Sequence, residues 1–333
     1  MKDVARLAGV SHQTVSRVLN AQPNVSSKAR ELVEHAIAEL GYRRNTAARN
    51  LVTRRSRTIG VLGSEMSQYG PSNTLLGVQQ AARDEGYFVS IAGLRDVSAE
   101  SITDAVGYFL DQAVDGVIVI VPHPGTFEVL HRLGPDVPLV AVGSGGGEGI
   151  SGAGVDQRLG AELAVNHLID LGHRQIAHLS GPSGWIDAAG RVAGWRGALA
   201  AAGLEAAVLL EGDWSAGCGY RAGLRIAANR DVTAVFVAND QMALGMLRAF
   251  SETGVRVPED ISIVGYDDQP EAAYFLPPLT TVSQDFEELG RSCMRVLLRA
   301  LRETSAESDP LVRPRLVVRS TTAAPNRPWQ GRC

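Results

Sequence analysis

The sequence predicts an α/β protein with an N-terminal helix-turn-helix head and a two-lobed core of doubly wound parallel sheets. Three observations carry that expectation. The first is a turn and helix cap at Gly9-Val10-Ser11, set between two short apolar-periodic helices. The second is a break in charge, because residues 1–57 hold 11 Lys+Arg against 4 Asp+Glu while the remaining 276 hold 21 against 32. The third is a rhythm of short apolar strands alternating with helices of about 10 to 15 residues, which begins at Thr58 and starts over near Gln175.

In the head, Val4, Leu7 and Ala8 mark the inner face of a first helix, and Gly9 allows the tight turn that ends it. Ser11 is placed to cap the second helix by accepting a backbone N–H. Val15, Val18 and Leu19 then point inward, and His12, Gln13, Ser16 and Arg17 share the outward face at the helix's N-terminal end. Gln can pair with adenine and Arg with guanine in a major groove, so this face suits base reading. A solvated polar face on a small helical hairpin is the plainer alternative. A third helix spans 27–40, where Ala29, Leu32, Val33, Ala36, Ile37 and Leu40 recur at helical spacing before Gly41 ends it. Residues 42–57 follow with six arginines, no acids and one weak helical stretch at 46–52. So short a helix is marginal alone. Either DNA orders it, with arginines on phosphates and Leu51 wedged between base steps, or it is a plain flexible linker.

In the body, strands are expected at 58–63, 88–94, 116–121 and 138–143, with helices at 73–85, 99–111 and 126–133. The second series has strands at 175–181, 207–211, 234–239 and 261–266, with helices at 158–171, 189–202, 216–228 and 241–251. Two such series imply two lobes, with ligand bound where strand ends converge. At 45% hydrophobic residues the chain can bury a large core, and its length suits two or three domains. A basic head on an acidic body is expected when one end binds a polyanion and the other must not. Cys218, Cys293 and Cys333 are odd in number and widely spaced, which implies a reducing compartment without a disulfide frame. With no leader and no apolar run near the ~20 residues that span a bilayer, the expected location is cytoplasmic.

The segment 147–152 fits the expression G-x-G-x-x-G, but a short extended piece through Val155 follows where a dinucleotide site needs a helix. His167, His173 and His178 lack metal-ligand spacing, and no nucleophile elbow occurs. The sequence therefore points to no enzyme, no cofactor and no metal. Sugar-binding chemistry is present instead: Arg191, Trp214, Asn239, Asp267 and Phe286 fall at strand ends or helix starts. Arg donates, Asp accepts and Asn does both, so the set can grip vicinal hydroxyls while an aromatic covers a pyranose face. Taken singly, Asp267 could cap a turn, Trp214 could be core and Arg191 a surface ion pair.

The whole chain resembles the lactose-repressor (LacI/GalR) family of transcription regulators. The resemblance rests on Asp3-Val4-Ala5, Gly9-Val10-Ser11, Gln13-Thr14-Val15-Ser16-Arg17-Val18, Leu168-Ile169-Asp170-Leu171-Gly172-His173 and Ala193-Gly194-Trp195. It continues through Glu211-Gly212-Asp213-Trp214-Ser215-Ala216, Val237-Ala238-Asn239-Asp240-Gln241-Met242-Ala243-Leu244-Gly245, Val264-Gly265-Tyr266-Asp267-Asp268 and Pro277-Pro278-Leu279-Thr280-Thr281. It implies a DNA-binding domain at 1–44, a hinge at 45–57 and a core at 58–333 like periplasmic sugar-binding proteins. Within that core it implies an N-terminal lobe of about 58–155 and 286–313 and a C-terminal lobe of about 156–283 and 314–330.

Carried over by position, base-reading side chains fall on His12, Gln13, Ser16, Arg17 and Asn24, with Ser11, Thr14, Asn20, Ser26 and Asn45 near phosphates. The hinge's minor-groove residues fall on Ala48 and Leu51, and the effector set on Ser64, Asp187, Arg191, Trp214, Asn239, Asp267, Gln284 and Phe286. Four positions depart: His12 replaces a Tyr, Ile120 an Asn, Gly143 an Asp and Asp187 a Ser. The first alters the implied operator, and the other three alter the polar network that joins a sugar to the N-terminal lobe. The family's Thr before the first helix is absent, and the chain stops soon after Asn326 without the leucine-heptad helix of tetrameric members, so a homodimer is implied. The implied partners are double-stranded operator DNA and a small sugar, a galactoside or related glycoside, with no membrane. Within the family the effector can release DNA or act as co-repressor; outside it stand a sugar-binding module without a DNA role, which the basic head opposes, and an oxidoreductase, which the failed glycine motif opposes.

Overall fold

A computed structural model describes the chain except for residues 20–21, 43–54, 122, 134–136, 144–150, 207, 230, 303–308 and 327–333. Asn20, Asn45, Ala48, Leu51 and Cys333 therefore lie outside the described residues, as does the expected helical stretch at 46–52. The chain divides into two compact units, Met1–Ser56 and Arg57–Cys333.

The first unit is a three-helix cluster of α1 (Lys2–Ala8), α2 (His12–Leu19) and α3 (Ser27–Glu39). Gly9 ends α1 in the left-handed conformation at φ 64°, and the Val10 N–H turns back to the Ala5 carbonyl at 3.1 Å. Ser11 Oγ accepts the Thr14 N–H at 3.1 Å, the expected cap of α2, and Ser26 Oγ accepts the Ala29 N–H at 3.3 Å to cap α3 as well. Val4, Ala8, Val15, Val18, Val33 and Ala36 form the small core. Leu7, Leu32 and Leu40, expected to face inward, remain nearly half exposed. Three short helices enclose too little volume to bury a full helical stripe on each.

The second unit holds both parallel sheets. The first has the order β2-β1-β3-β4-β5, from β1 (Thr58–Gly63), β2 (Phe88–Gly93), β3 (Gly116–Ile120), β4 (Leu139–Val142) and β5 (Ser151–Ala153), and every pairing in it is parallel. Its helices are α4 (Tyr69–Asp84), α5 (Ala99–Asp111) and α6 (Pro124–Leu133). The second sheet has the order β11-β10-β9-β8-β6-β7. Its parallel strands are β6 (Ile176–Ser180), β7 (Leu209–Glu211), β8 (Ala234–Val237), β9 (Ser262–Asp267) and β10 (Thr280–Ser283), and β11 (Arg315–Val317) closes one edge antiparallel to β10. Helices α7 (Gln157–Asp170), α8 (Ile186–Ala201), α9 (Ala216–Ala227) and α10 (Asp240–Thr253) cover it.

Central strands are buried along their whole length because helices cover both faces: this holds for every residue of β3, β6 and β8, including the polar His178 and Ser180 of β6. The edge strand β2 is not. Four elements exceed the expected series: β5, β10, β11 and α11 (Phe286–Ala300). Helix α11 returns to the first sheet, where Leu289, Cys293, Val296 and Leu297 share a core with Ile59, Val61 and Ile118. The chain thus crosses between lobes more than once, and the crossings are tied together. Val155 pairs with Val312, and Gln157 Nε2 donates to Gln284 Oε1 at 2.9 Å. Cys218 and Cys293 are free thiols. No helix among the described residues is long and apolar enough to cross a membrane. Ser151–Ala153, within the short extended piece expected up to Val155, is a strand, while residues 147–150 lie outside the described residues.

Candidate functional site

Between the two sheets of the second unit lies a cleft enclosing about 680 Å³ of non-atom space, part of it open to solvent. Seven of the eight effector residues named from sequence line it: Asp187, Arg191, Trp214, Asn239, Asp267, Gln284 and Phe286. Ile120 and Gly143, two of the departures, line it as well. Ser64 does not. It is buried just past β1, where its N–H donates to the Ile120 carbonyl at 3.2 Å, and the following stretch from Gln68 to Thr74 supplies that part of the wall.

The position of the cleft follows from the topology. Parallel strands all end on the same side, so residues just past them converge: Asp267 ends β9, and Trp214, Asn239 and Gln284 follow β7, β8 and β10. Helices that start there need caps, and Asn239 is one, its Oδ1 accepting the Met242 N–H at 2.9 Å. Its Nδ2 donates to the Trp214 carbonyl at 3.0 Å. Asn239 therefore offers a ligand only its remaining lone pair and N–H.

Arg191 organises the rest. It is 5% exposed, so it is no surface ion pair. Its Nε donates to Gln157 Oε1 at 2.9 Å, Nη1 donates to the Ala238 carbonyl, and Nη2 lies 3.9 Å from Asp267 Oδ1. The guanidinium sits 3.8 Å over the Tyr266 ring and 5.5 Å from the Trp214 ring. Asp267 also accepts from Gln284 Nε2 at 2.7 Å, which closes a chain from Arg191 through Gln157 and Gln284 to Asp267. Burial pushes the Asp267 carboxyl up to about 6, opposed by Arg191 and the Gln284 hydrogen bond and aided by Asp187. Asp267 is held at φ 110° and Trp214 at φ 68°, left-handed conformations that a packed site has to enforce.

Trp214 belongs at once to the C-terminal lobe's core and to the cleft. A Cβ at Gly181 would lie 2.0 Å from its Cη2, so a glycine there lets the indole lie flat. Its indole N–H has no hydrogen-bond partner among the described residues. Trp185 packs edge-on against it at 5.2 Å, and across the cleft Tyr69 packs edge-on against Phe286 at 5.8 Å.

Gln157, Trp185, Gln68 and Tyr69 complete the wall and were missed from sequence. Trp185 could have been found, as an aromatic residue two before Asp187 at a helix start. Gln157 carries no local signal, because its role comes from two chain crossings that meet in space. The opposite wall carries no charge among its described residues: Ile120, Val121, Val142, Gly143 and Val155 are apolar or lack a side chain, and Gly143 adopts φ +148°.

In the first unit, His12, Gln13 and Arg17 are exposed on α2 with Ser16 half-buried beside them, and Ser11, Asn24 and Ser26 are exposed nearby. Thr14 is half-buried, its hydroxyl 2.9 Å from Ser11 Oγ. One face thus collects every described head residue named for base reading except Asn24, which follows α2 on the way to α3.

A helix-turn-helix unit joined to a two-lobed core with a polar cleft defines a ligand-responsive DNA-binding regulator by architecture. Residues 1–45 match bacterial regulatory proteins of the lacI family, and residues 165–322 match the periplasmic binding protein-like domain. Over 326 residues the chain is 38% identical to the lactose operon repressor of Escherichia coli (strain K12), covering 97% of this chain and 91% of that protein. It is also 38% identical over 336 residues to the HTH-type transcriptional regulator CelR of Thermobifida fusca, covering 96% of each. The crystal structure of the lac repressor dimer bound to operator and the anti-inducer ONPF superposes with a TM-score of 0.84 at 38% identity, covering 97% of this chain and 98% of that one. The CelR–cellobiose complex does so with a TM-score of 0.72 at 35% identity, covering 96% and 98%. This chain belongs to the lacI family of bacterial regulatory proteins.

Proposed function

We propose that the protein is a sequence-specific transcriptional repressor in the cytoplasm, a homodimer whose grip on operator DNA is controlled by a small glycoside bound in the cleft. In this reading residues 1–44 bind DNA, 45–57 form the hinge and 58–333 form the effector-binding core. The observation that carries it is the convergence of Asp187, Arg191, Trp214, Asn239, Asp267, Gln284 and Phe286 on one cavity in a chain that begins with a helix-turn-helix. Donors and acceptors side by side with aromatic faces are the chemistry of sugar recognition. A galactoside or related glycoside agrees with the relatives, whose structures include a lac repressor bound to ONPG and CelR bound to cellobiose. The dimer is supported by apolar side chains left in solvent. They include Leu76 and Phe88 in the first lobe and Leu224, Leu244, Tyr274 and Leu276 in the second.

A gel shift with DNA from upstream of the protein's own gene, with and without glycosides, tests the reading. Repression lifted by sugar releases the DNA, and a co-repressor tightens it; no specific shift under any condition would sink the proposal. In the same assay Arg17→Ala is expected to lose about 1–3 kcal/mol on the specific site and little on random DNA, because base contacts specify and phosphate contacts do not.

A further inference from the structure

Asp187 is the carboxylate of the cleft's C-terminal wall that the Arg191–Gln157–Gln284–Asp267 network leaves out. It sits in the first turn of α8, half-buried, and lines the cavity. It forms no hydrogen bond and no close ion pair with any described residue. Arg191, one turn further along α8, does not satisfy it, because that guanidinium is directed to Gln157, Ala238 and Asp267 and lies over Tyr266. The lining therefore holds two carboxylates, Asp187 and Asp267, against the single guanidinium of Arg191. On the other wall, Ile120 and Gly143 carry no polar side chain and the Gly143 N–H already donates to the Ala153 carbonyl at 2.9 Å, while the Ile186 methyl lies 4.0 Å from where a Gly143 Cβ would stand. With the first turn of α8 and the Arg191 charge as its surroundings, and no donor from a described side chain, this carboxylate is open to a donor on a ligand.

Trp185 and Trp214 narrow what that partner is. Both indoles line the same cavity as Asp187, and the Trp214 ring already has a cation near it, the Arg191 guanidinium at 5.5 Å. A carboxylate with aromatic faces nearby favours a compact cation over a neutral hydroxyl, since the ring quadrupole adds to the charge pair. Burial raises the Asp187 carboxyl above its usual range, with Arg191 opposing, and a bound cation would favour the ionised form.

From this arrangement we infer that Asp187 is a specificity-determining residue that selects a glycoside carrying a protonated amine and rejects one carrying a carboxylate at the same corner. The inference rests on the proposed sugar-binding role of the cleft and narrows its ligand class.

Calorimetric titration of the full chain with methyl β-galactoside, its 2-amino and 6-amino derivatives and the matching uronic acid is the test. At least one amino derivative is expected to bind about tenfold tighter than the neutral parent and the uronic acid about tenfold weaker, the size of one charge-assisted contact. In Asp187→Asn the ratio of amino derivative to parent should collapse toward one. Should that variant fail to fold, the ratio in the unaltered protein decides alone. Glycosides that bind without an amine preference, or a preference that persists in Asp187→Asn, would overturn this inference and leave the sugar-binding role standing. Failure of every compound to bind would overturn both.

Discussion

The two walls of the cleft are built from the same parts, strand ends and helix starts of doubly wound sheets, yet they differ in chemistry. The C-terminal wall is a connected polar system in which Arg191, Gln157, Gln284 and Asp267 hold one another before any ligand arrives. The N-terminal wall offers the apolar ends of β3 and β4, a bare backbone at Gly143, and, among the described residues, only Gln68, Tyr69 and Thr74 as polar side chains. Thr74 is already engaged, its hydroxyl donating to the Gly70 carbonyl at 2.8 Å. One wall is thus a polar network already in place, and the other is largely apolar. A ligand shifts an open–closed equilibrium only by its differential affinity for the two states. In this molecule the difference has to come from what the N-terminal wall adds on closing: apolar contact and the side chains at the start of α4.

The contrast is broken most severely at Arg191. Arg191→Ala leaves the Asp267 carboxylate without a counter-charge and the Ala238 carbonyl without its donor. Removing one member of a buried pair costs about 3–5 kcal/mol, and a loss of that order is expected in denaturant unfolding. A loss under about 1 kcal/mol, the level of an exposed pair, would mean the polar wall is not held in advance.

Next in size is Gly143. At φ +148° an alanine is strained whatever the space around it, and there is space, since its nearest contact would be 4.0 Å away. Gly143→Ala should therefore destabilise by about 1–3 kcal/mol through backbone conformation alone. An unchanged unfolding midpoint would show that the N-terminal wall is free to relax at this point.

Asp267, in the C-terminal wall, gives folding stability and ligand affinity opposite pH dependences. Its folded carboxyl titrates near 6 against an ordinary value of 3.8, so the native state binds this proton more tightly than the unfolded chain does. Stability contributed by the protonated form is full in acid and is lost as pH rises from about 4 to about 6. Ligand affinity runs the other way, since the ionised carboxylate is the better acceptor, and should fall by up to about tenfold per pH unit below 6. Asp267→Asn removes both slopes. A variant that kept the affinity slope would transfer the titration to another group, with Asp187 the first to examine.

How much of this was legible in the sequence divides along the same line. The strand and helix rhythm was readable because apolar runs, helical spacing and a cap such as Ser11 are local signals. The short edge strand β11 was not, since three residues carry no period, and β5 was read only as an extended piece and not as a strand of the sheet. Helix α11 has a helical stripe in Leu289, Cys293, Val296 and Leu297, but nothing local says that it returns to the first sheet. In the site, residues beside strand ends were found, and those that depend on chain crossings, Gln157 above all, were not. Ser64 shows the converse: a strand-end position is not enough when the next turn covers it.

The smallest effect, and the cleanest probe of the apolar wall, is expected at Ile120. Its side chain is 3% exposed at the end of β3, in one core with Ile118 and Val140 while also bordering the cavity. Ile120→Val removes one methylene from a buried position, a change that typically costs 0.5–1.5 kcal/mol. Because one side of Ile120 already faces open space rather than packed atoms, the lower half of that range is expected. Glycoside affinity should move by less than about threefold, as no hydrogen bond is made or lost and only a fraction of a kcal/mol of apolar contact is removed. Paired unfolding and calorimetry on this variant therefore read the N-terminal wall alone. A tenfold loss of affinity with little loss of stability would mean that the ligand presses against Ile120 as firmly as against Trp214, and that recognition is shared by both walls.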